Sequence, residues 1–537
     1  MAAPGSEPGL AGTELGGGRH YIVGGGIAGL ATAVFLVRDA GVSAPDILIL
    51  EAAETAGGSL DGCGDADTGY LTRGGRMFES NFACTFDLLA SIPLPDDPKR
   101  SVKDDIDAFN REVRNSSRCR LIRNGQRVEA PPLSLGVRGT MDLLRLVARS
   151  ESRLEGQTIE SCFGPAFFAS NFWLMWSTMF SFQPWHSAAE MRRYLKRFVH
   201  LFPGFSRLEG ILRTRFNQYD SIIAPIVLWL TRQGVEIRSE TAVLDAEVEG
   251  NEGARRTSAL RLTGPLGEER VSIAPKDRVY FTLGSMTSGA VTGSRAAAPP
   301  AARLDEPGWV LWRRLAEQDA IWGRPDAFAG TPEQTSWTSF TVTLRNPAFL
   351  RFMEDFTRNP AGTGGLVTLA GSGWTLSIVL FHQPHFRGQP DNAYVFWGYG
   401  LRGDRPGDFV VKPMAACTGE EILEELSGHL GLGDDGRVFF EGASVVPCRM
   451  PYITSQFMPR AAGDRPPVVP EGAVNSAVIG QFCEMPRDTV FTVEYSVRSA
   501  KEAVHRLTGR APAPPPVKPT DRNPAVLARA ALTLLRG

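Results

Sequence analysis

The sequence predicts an α/β protein: a parallel, doubly wound sheet, a mixed α+β domain inserted into it, and a C-terminal helical tail. Three observations predict this. A short apolar strand, Tyr21-Ile22-Val23, runs into Gly24, Gly26 and Gly29 at the spacing G-x-G-x-x-G, and helical periodicity continues from Leu30 to Arg38. A second apolar strand, Ile47-Leu48-Ile49-Leu50, ends in the acid Glu51. The chain is 537 residues long, beyond the ~250–300 residues at which one hydrophobic core stops growing, so two or more domains are expected.

Each part of the opening unit has a physical reason. Gly24 allows the tight turn, Gly26 lets the backbone approach a pyrophosphate, and Gly29 lets the helix lie close to the strand. The helix N-terminus offers unpaired N–H groups to phosphates, and Glu51 can accept hydrogen bonds from a ribose. This is a Rossmann-like dinucleotide site. Glu51 followed by Gly57-Gly58 resembles FAD-binding flavoproteins more than nicotinamide dehydrogenases, which makes FAD the expected cofactor. The run from Asp277 to Gly284 is similar to the later strand that returns to the sheet in those proteins, and the run from Val478 to Phe482 to the strand and turn that close over the flavin. The expected contacts are Gly24, Gly26, Gly29, Glu51, Gly58 and Ser59 early in the chain, then Gly284, Ser285, Gly480 and Phe482. Arg73-Gly74-Gly75-Arg76 either clamps phosphate, brings backbone near the isoalloxazine, or forms a surface hairpin.

Composition sets the outer limits. With 43% hydrophobic and 22% charged residues the chain is globular, and a net charge of -2 offers no footprint for nucleic acid. Seven scattered cysteines without C-x-x-C or Cys/His spacing point to a reducing, cytoplasmic setting and no structural metal. Residues 1–18 lack the basic and apolar regions of a secretory signal and are expected to be a disordered lead-in. Residues 161–183 carry no charge over nearly a membrane span, but Gly164-Pro165, Asn171 and several hydroxyl side chains favour a buried helix, either core or cavity-lining.

The expected layout is a flavin domain in three parts, 19–135, 221–290 and 431–510, and a substrate domain in two, 136–220 and 309–430. An Ala-, Gly- and Pro-rich linker occupies 291–308. In a basic helix over 190–198, Tyr194 and Phe198 share a face, so Tyr194 is either a packed aromatic or a catalyst. After the Pro-rich spacer that opens 511–537, Asn523 and Pro524 start a helix through Leu535, with one stripe of Val526, Leu527, Ala530, Ala531, Leu534 and Leu535 and with basic Arg522, Arg529 and Arg536. That helix either lies on an anionic membrane surface or docks on the protein itself.

Long strings extend the likeness beyond the fingerprint: GGSLDG at 57–62, RGGRMFES at 73–80, RFNQYDS at 215–221, LGSMTSG at 283–289, QPHFRGQP at 383–390, PYITSQFMPR at 451–460 and IGQFCEMPRDTVFTVEYSVR at 479–498. On these the chain resembles the oleate hydratases, or myosin-cross-reactive antigens, over about residues 20–508. The resemblance implies an FAD-dependent enzyme, most active with reduced flavin, that adds water to the cis double bond of a long-chain unsaturated fatty acid. It implies a monomer or homodimer with peripheral membrane contact through the C-terminal helix. It implies that Tyr194 protonates the alkene, and it places Met77 where the family has a water-activating glutamate, leaving backbone carbonyls, Glu79 or another group to hold the water. A phenol is a weak acid for an alkene, so either a neighbouring cation such as Arg193 or Arg197 or pre-organised dipoles are expected to assist Tyr194. Gln218 and His385 match the family's carboxylate-binding glutamine and histidine, whereas two further polar positions of that set are Val379 and Phe381 here. The competing functional classes are a flavin oxidoreductase of amine oxidase or desaturase type and a catalytically silent lipid-binding flavoprotein.

Overall fold

The computed structural model describes residues 17–129 and 132–536; the lead-in expected over 1–18 lies outside the described residues up to residue 16. Its organising sheet has five parallel strands in the order Ser476–Ile479, Arg278–Thr282, His20–Val23, Ile47–Leu50, Glu236–Arg238. The two strands flanking the glycine turn are buried at all four positions each, which is why they read as unbroken apolar runs. The helix Ile27–Arg38 is buried continuously from Ile27 to Leu36, packed between this sheet and the helix Val493–Thr508. The fold class is therefore the Rossmann-like α/β arrangement that the glycine spacing predicts.

A second, eight-stranded sheet carries Trp337–Leu344 near its middle, paired antiparallel with Tyr394–Gly400 on one side and Ser444–Met450 on the other. Trp337–Leu344 is buried at every position, because one face meets a core around Phe349 and Trp374 and the other a cluster around Trp397 and Tyr399. A third antiparallel sheet of three strands spans Ala242–Asn251, Ala254–Gly264 and Gly267–Ser272.

Several boundaries differ from the expected layout. Cys119–Arg123 and Gln126–Glu129, expected within the flavin part 19–135, belong to the eight-stranded sheet, as does Ser444–Met450, expected within 431–510. Val291–Thr292, expected in the linker, pairs with Ser444–Met450. Conversely, the helix Pro307–Gln318 leaves the expected substrate part: Trp309 and Trp312 pack on Phe482 in the same core as the parallel sheet. Apolar patterning tells that an element is buried but not which sheet it is buried against.

The apolar segment 161–183 is not one helix. It divides into Pro165–Phe168 and Asn171–Phe180, because Ser170 caps the second helix by accepting the Trp173 N–H at 3.1 Å. Its rings form a core cluster in which Trp176 meets Phe172, Phe202 and Phe205. Among the described residues, no helix is long and apolar enough to cross a membrane.

The tail helix Pro524–Arg536 is capped by the Asn523 side chain, whose Oδ1 accepts from Ala525 N–H at 3.0 Å. Its predicted single stripe divides in two. Ala530 is buried against residues 199–207, with Val526 and Leu534 half-buried beside it, while Leu527, Leu532 and Leu535 stand exposed at 44%, 51% and 77%. A Lys196–Asp521 ion pair of 2.8 Å holds the segment that leads into the helix.

Candidate active site

A cavity of about 1550 Å³ opens at the carboxyl ends of the parallel strands, where ligands of such sheets bind. Gly24, Gly26, Glu51, Gly58 and Ser59 line it from the first half of the fold, and Gly284, Ser285, Gly480 and Phe482 from the second. Gly24 turns the chain at φ +96° and donates its N–H to Leu50 O at 2.8 Å. At Gly26 a Cβ would meet only the Gly58 Cα at 3.9 Å, so this backbone faces the cavity. At Gly29 a Cβ would stand 1.9 Å from Gly24 O. Gly29 therefore serves helix packing and does not line the cavity.

Glu51 holds the loop as well as the wall. Its carboxylate accepts Gly25 N–H at 2.6 Å and Ala53 N–H at 2.8 Å. Burial pushes its carboxyl above the usual range, against the pull of those N–H groups. The helix Ile27–Arg38 begins without a side-chain cap, which leaves its first N–H groups for a ligand. Sequence reasoning missed one wall: the loop through Pro307 and Gly308, fastened by a Gly284 N–H bond to Gly308 O of 3.1 Å. Its only signal was the Gly/Pro-rich composition that marked it as a linker.

The segment Arg73–Met77 leads away from this cavity into a second one. Arg73 lines the large cavity and pairs with Asp61 at 2.8 Å. Gly74 lines neither and packs near Arg76 and Trp397, so it is not placed to touch a cofactor. Gly75 and Arg76 line a smaller apolar cavity of about 80 Å³, together with Met77, Glu79, Tyr194 and Phe491. Arg76 joins the two by donating to Ser59 O at 3.2 Å while its guanidinium lies over the Phe491 ring.

Tyr194 is fully buried among Phe180, Phe182, Phe198 and Phe457, and its hydroxyl donates to Val490 O at 2.5 Å. Burial first, then the charges of Glu190 and Asp488, push the phenol well above its ordinary value, and Arg76 acts in the opposite direction. Arg193 and Arg197, expected from sequence as cations assisting Tyr194, are neutralised elsewhere. Arg193 pairs with Glu151 at 2.8 Å and Glu484 at 2.6 Å, and Arg197 with Glu79 at 2.7 Å. Glu79 is likewise unavailable as a base: its second oxygen accepts Asn81 N–H at 2.8 Å and contacts His200 at 3.3 Å. Although burial favours the neutral form, the His200 contact and the Arg197 charge hold its carboxyl below the usual range.

Gln218 and His385 come together in a third space of about 20 Å³, beside Arg213, Phe381, Gly75 and Arg76. His385 stacks on Phe381 with ring centres 3.7 Å apart, and burial, then Arg213 and His382, depress its imidazole to about 3, so it is neutral. Val379 is not part of this wall but is buried in the eight-stranded sheet. The structure also gathers Glu425 and His429, one turn apart on the helix Gly419–Leu430, with the distant Asp408; Glu425 accepts three backbone N–H groups there, from Asp408, Phe409 and Val410, each at 2.8 Å.

Residues 18–505 match the profile of the MCRA family. The chain is 40% identical over 496 residues to an oleate hydratase of Streptococcus pyogenes serotype M49 (strain NZ131), covering 90% of this chain and 84% of that one. It is 30% identical over 532 residues to a linoleate hydratase of Lactiplantibacillus plantarum, covering 91% and 94%. In fold it is similar to cyclohexylamine oxidase from Brevibacterium oxydans IH-35A, with a TM-score of 0.53 at 14% identity, covering 92% and 99%. A putrescine oxidase variant gives a TM-score of 0.52 at 14% identity with the same coverage.

Proposed function

The chain belongs to the MCRA family, and from that premise we propose that it is an FAD-dependent hydratase of long-chain unsaturated fatty acids. Water adds across a cis double bond: one alkene carbon gains a proton, the other a hydroxyl, and no net redox change occurs. The observation that carries the reading is the course of residues 73–77, which run from the wall of the dinucleotide-sized cavity to the apolar cavity that Tyr194 lines. Relatives named for oleate and linoleate hydration support the substrate class.

The residues present fit FAD. Gly26 leaves its Cβ position open to the cavity, and the uncapped helix start and Glu51 supply the contacts a dinucleotide needs. When bound and reduced, the flavin supplies an electron-rich face that favours positive charge on a neighbouring carbon. The chain's own part begins with Tyr194. Its O–H, held on Val490 O, has to turn from that carbonyl to reach an alkene. A buried phenol with a raised pKa is a weak acid, so the drive comes from preorganised surroundings, in which Arg76 is the cation that favours loss of the proton. Met77 has no basic atom and Glu79 is committed to Arg197. Neither side chain serves as a strong base, so water attacks after protonation, and the proton that the added water then loses restores the Tyr194 O–H. The aromatic wall of Phe180, Phe198 and Phe491 excludes bulk water.

The exposed Leu527, Leu532 and Leu535 on the tail helix, with Arg529 beside them, give a face suited to an anionic membrane surface from which such a substrate is drawn. The deciding experiment is mass spectrometry of oleate incubated with the protein and FAD, with and without reductant. A gain of one water, greater with reductant, is expected. Unchanged oleate with bound flavin points to a silent lipid-binding protein, and flavin turnover with oxygen to an oxidase.

A further inference from the structure

We propose that Arg213 is the counter-ion that holds the substrate carboxylate, a role that rests on the fatty acid reading of this site. Its placement is built by the backbone. Ile211–Leu212 pairs antiparallel with Phe78–Glu79, with Phe78 opposite Leu212, and Arg213 is the residue that directly follows this pairing. Asn110 grips the same residue from both sides, accepting its N–H at 3.0 Å and donating to its carbonyl at 2.7 Å. The guanidinium is thereby fixed at the wall it shares with Gly75, Gln218 and His385.

Arg213 lacks an anion of its own. It is 9% exposed, yet among the described residues no carboxylate lies within salt-bridge distance of it. Its Nε has no hydrogen-bond partner, and Nη2 makes only a long contact of 3.4 Å to Gly364 O. Three other buried arginines are compensated, Arg197 by Glu79, Arg193 by Glu484 and Arg465 by Glu190, whereas Arg76, also without an acid, is turned to Ser59 O at 3.2 Å and the Phe491 ring. Arg120, also without an acid, donates instead to Leu366 O at 3.0 Å and Phe205 O at 3.1 Å. A buried charge without a partner is costly to fold around. A ligand carboxylate removes that cost, and the guanidinium fork matches it in shape.

The neighbours agree. Phe381 offers no polar atom and lies flat on His385, which is neutral. Gln218 adds an amide whose present contact to Thr214 is a long 3.4 Å. Gly75 and Arg76 line both this space and the Tyr194 cavity, so a chain anchored at Arg213 continues toward the phenol.

The test compares oleate with oleyl alcohol, which has the same chain and no charge, on the flavin-loaded protein by titration calorimetry. Wild-type protein binds oleate the more tightly. Arg213→Gln should lose oleate affinity by roughly tenfold to a hundredfold, the scale of a charge-assisted bidentate contact, while oleyl alcohol affinity is unchanged. Arg213→Lys should recover part of the loss, and in turnover the Gln variant should raise KM with little change in kcat. Equal weakening for acid and alcohol, or no weakening for the acid, overturns the assignment. If the variant fails to fold, equal wild-type affinity for the two ligands overturns it as well. Binding is measured without turnover, so a selective loss of oleate in a protein that hydrates nothing refutes the hydratase reading alone. Normal hydration with an unchanged KM in Arg213→Gln refutes the carboxylate role alone.

Discussion

Gly26 and Gly29 lie one helical turn apart in the same fingerprint, yet substitution should damage the protein in opposite ways. At Gly26 the backbone sits at φ -72° and ψ 178°, a conformation any residue adopts, and a Cβ meets nothing nearer than 3.9 Å. Gly26→Val therefore leaves the apo fold intact and projects methyl groups where the pyrophosphate must approach; a steric conflict of about 1–3 kcal/mol weakens flavin binding roughly tenfold to a hundredfold. At Gly29 the Cβ would lie 1.9 Å from Gly24 O and 3.1 Å from Ile22 Cγ2. Gly29→Ala gains about 1 kcal/mol of helix propensity but forces the helix off the strand, for a net loss that can reach several kcal/mol. The assay is flavin absorbance of the purified variants beside thermal melting of flavin-stripped protein, since bound flavin itself raises Tm. Gly26→Val should melt like stripped wild type and carry little flavin, whereas Gly29→Ala should melt several degrees lower. Full flavin occupancy in Gly26→Val, or an unshifted melt in Gly29→Ala, refutes the division of labour.

Tyr194→Phe should lower hydration by roughly 10²–10⁴-fold, as expected for a general acid, while fatty acid binding persists; Met77→Ala should cost less, and the reverse ranking with flavin still bound would make Tyr194 a packed aromatic. Glu190 is fully buried against Arg465 at 2.8 Å and Arg460 at 3.1 Å; burial opposes its charge, but these arginines hold its carboxyl at about 2. Its folded pKa lies below the unfolded value of about 4.3, so its contribution is complete above that pH and is lost as pH falls toward 2. Glu190→Gln should accordingly destabilise by about 3–5 kcal/mol at pH 7, with the gap in melting temperature to wild type narrowing below pH 4; a gap independent of pH would dissociate the charge from the effect. Deleting residues 523–537 should weaken binding to anionic vesicles, measured by co-sedimentation, and leave hydration of detergent-dispersed oleate largely intact. Unchanged sedimentation would confine this helix to docking on residues 199–207.

Much of the flavin side was legible because its signals are local. Turn, close approach and helix packing each require glycine within six residues, and a strand buried on both faces is apolar throughout, so Gly24, Gly26, Gly29 and Ile47–Leu50 announce themselves. The long matching strings likewise located Gln218 and His385 without any geometry, and the resemblance they carry pointed to Tyr194. What the sequence by itself determined was thus the fold class, the cofactor cradle and the residues to watch. Only the tertiary structure decided how they act, because charge and burial depend on partners far along the chain. Arg197 and Glu79 are 118 residues apart, so neither shows in sequence that it is neutralised by the other. Trp309 joins the parallel-sheet core through Phe482, and Arg213 reaches the wall it shares with Gln218 and His385 right after a two-residue pairing, contacts that no periodicity encodes. A linear pattern reports what each residue wants from its surroundings, whereas the fold alone determines which distant group supplies it.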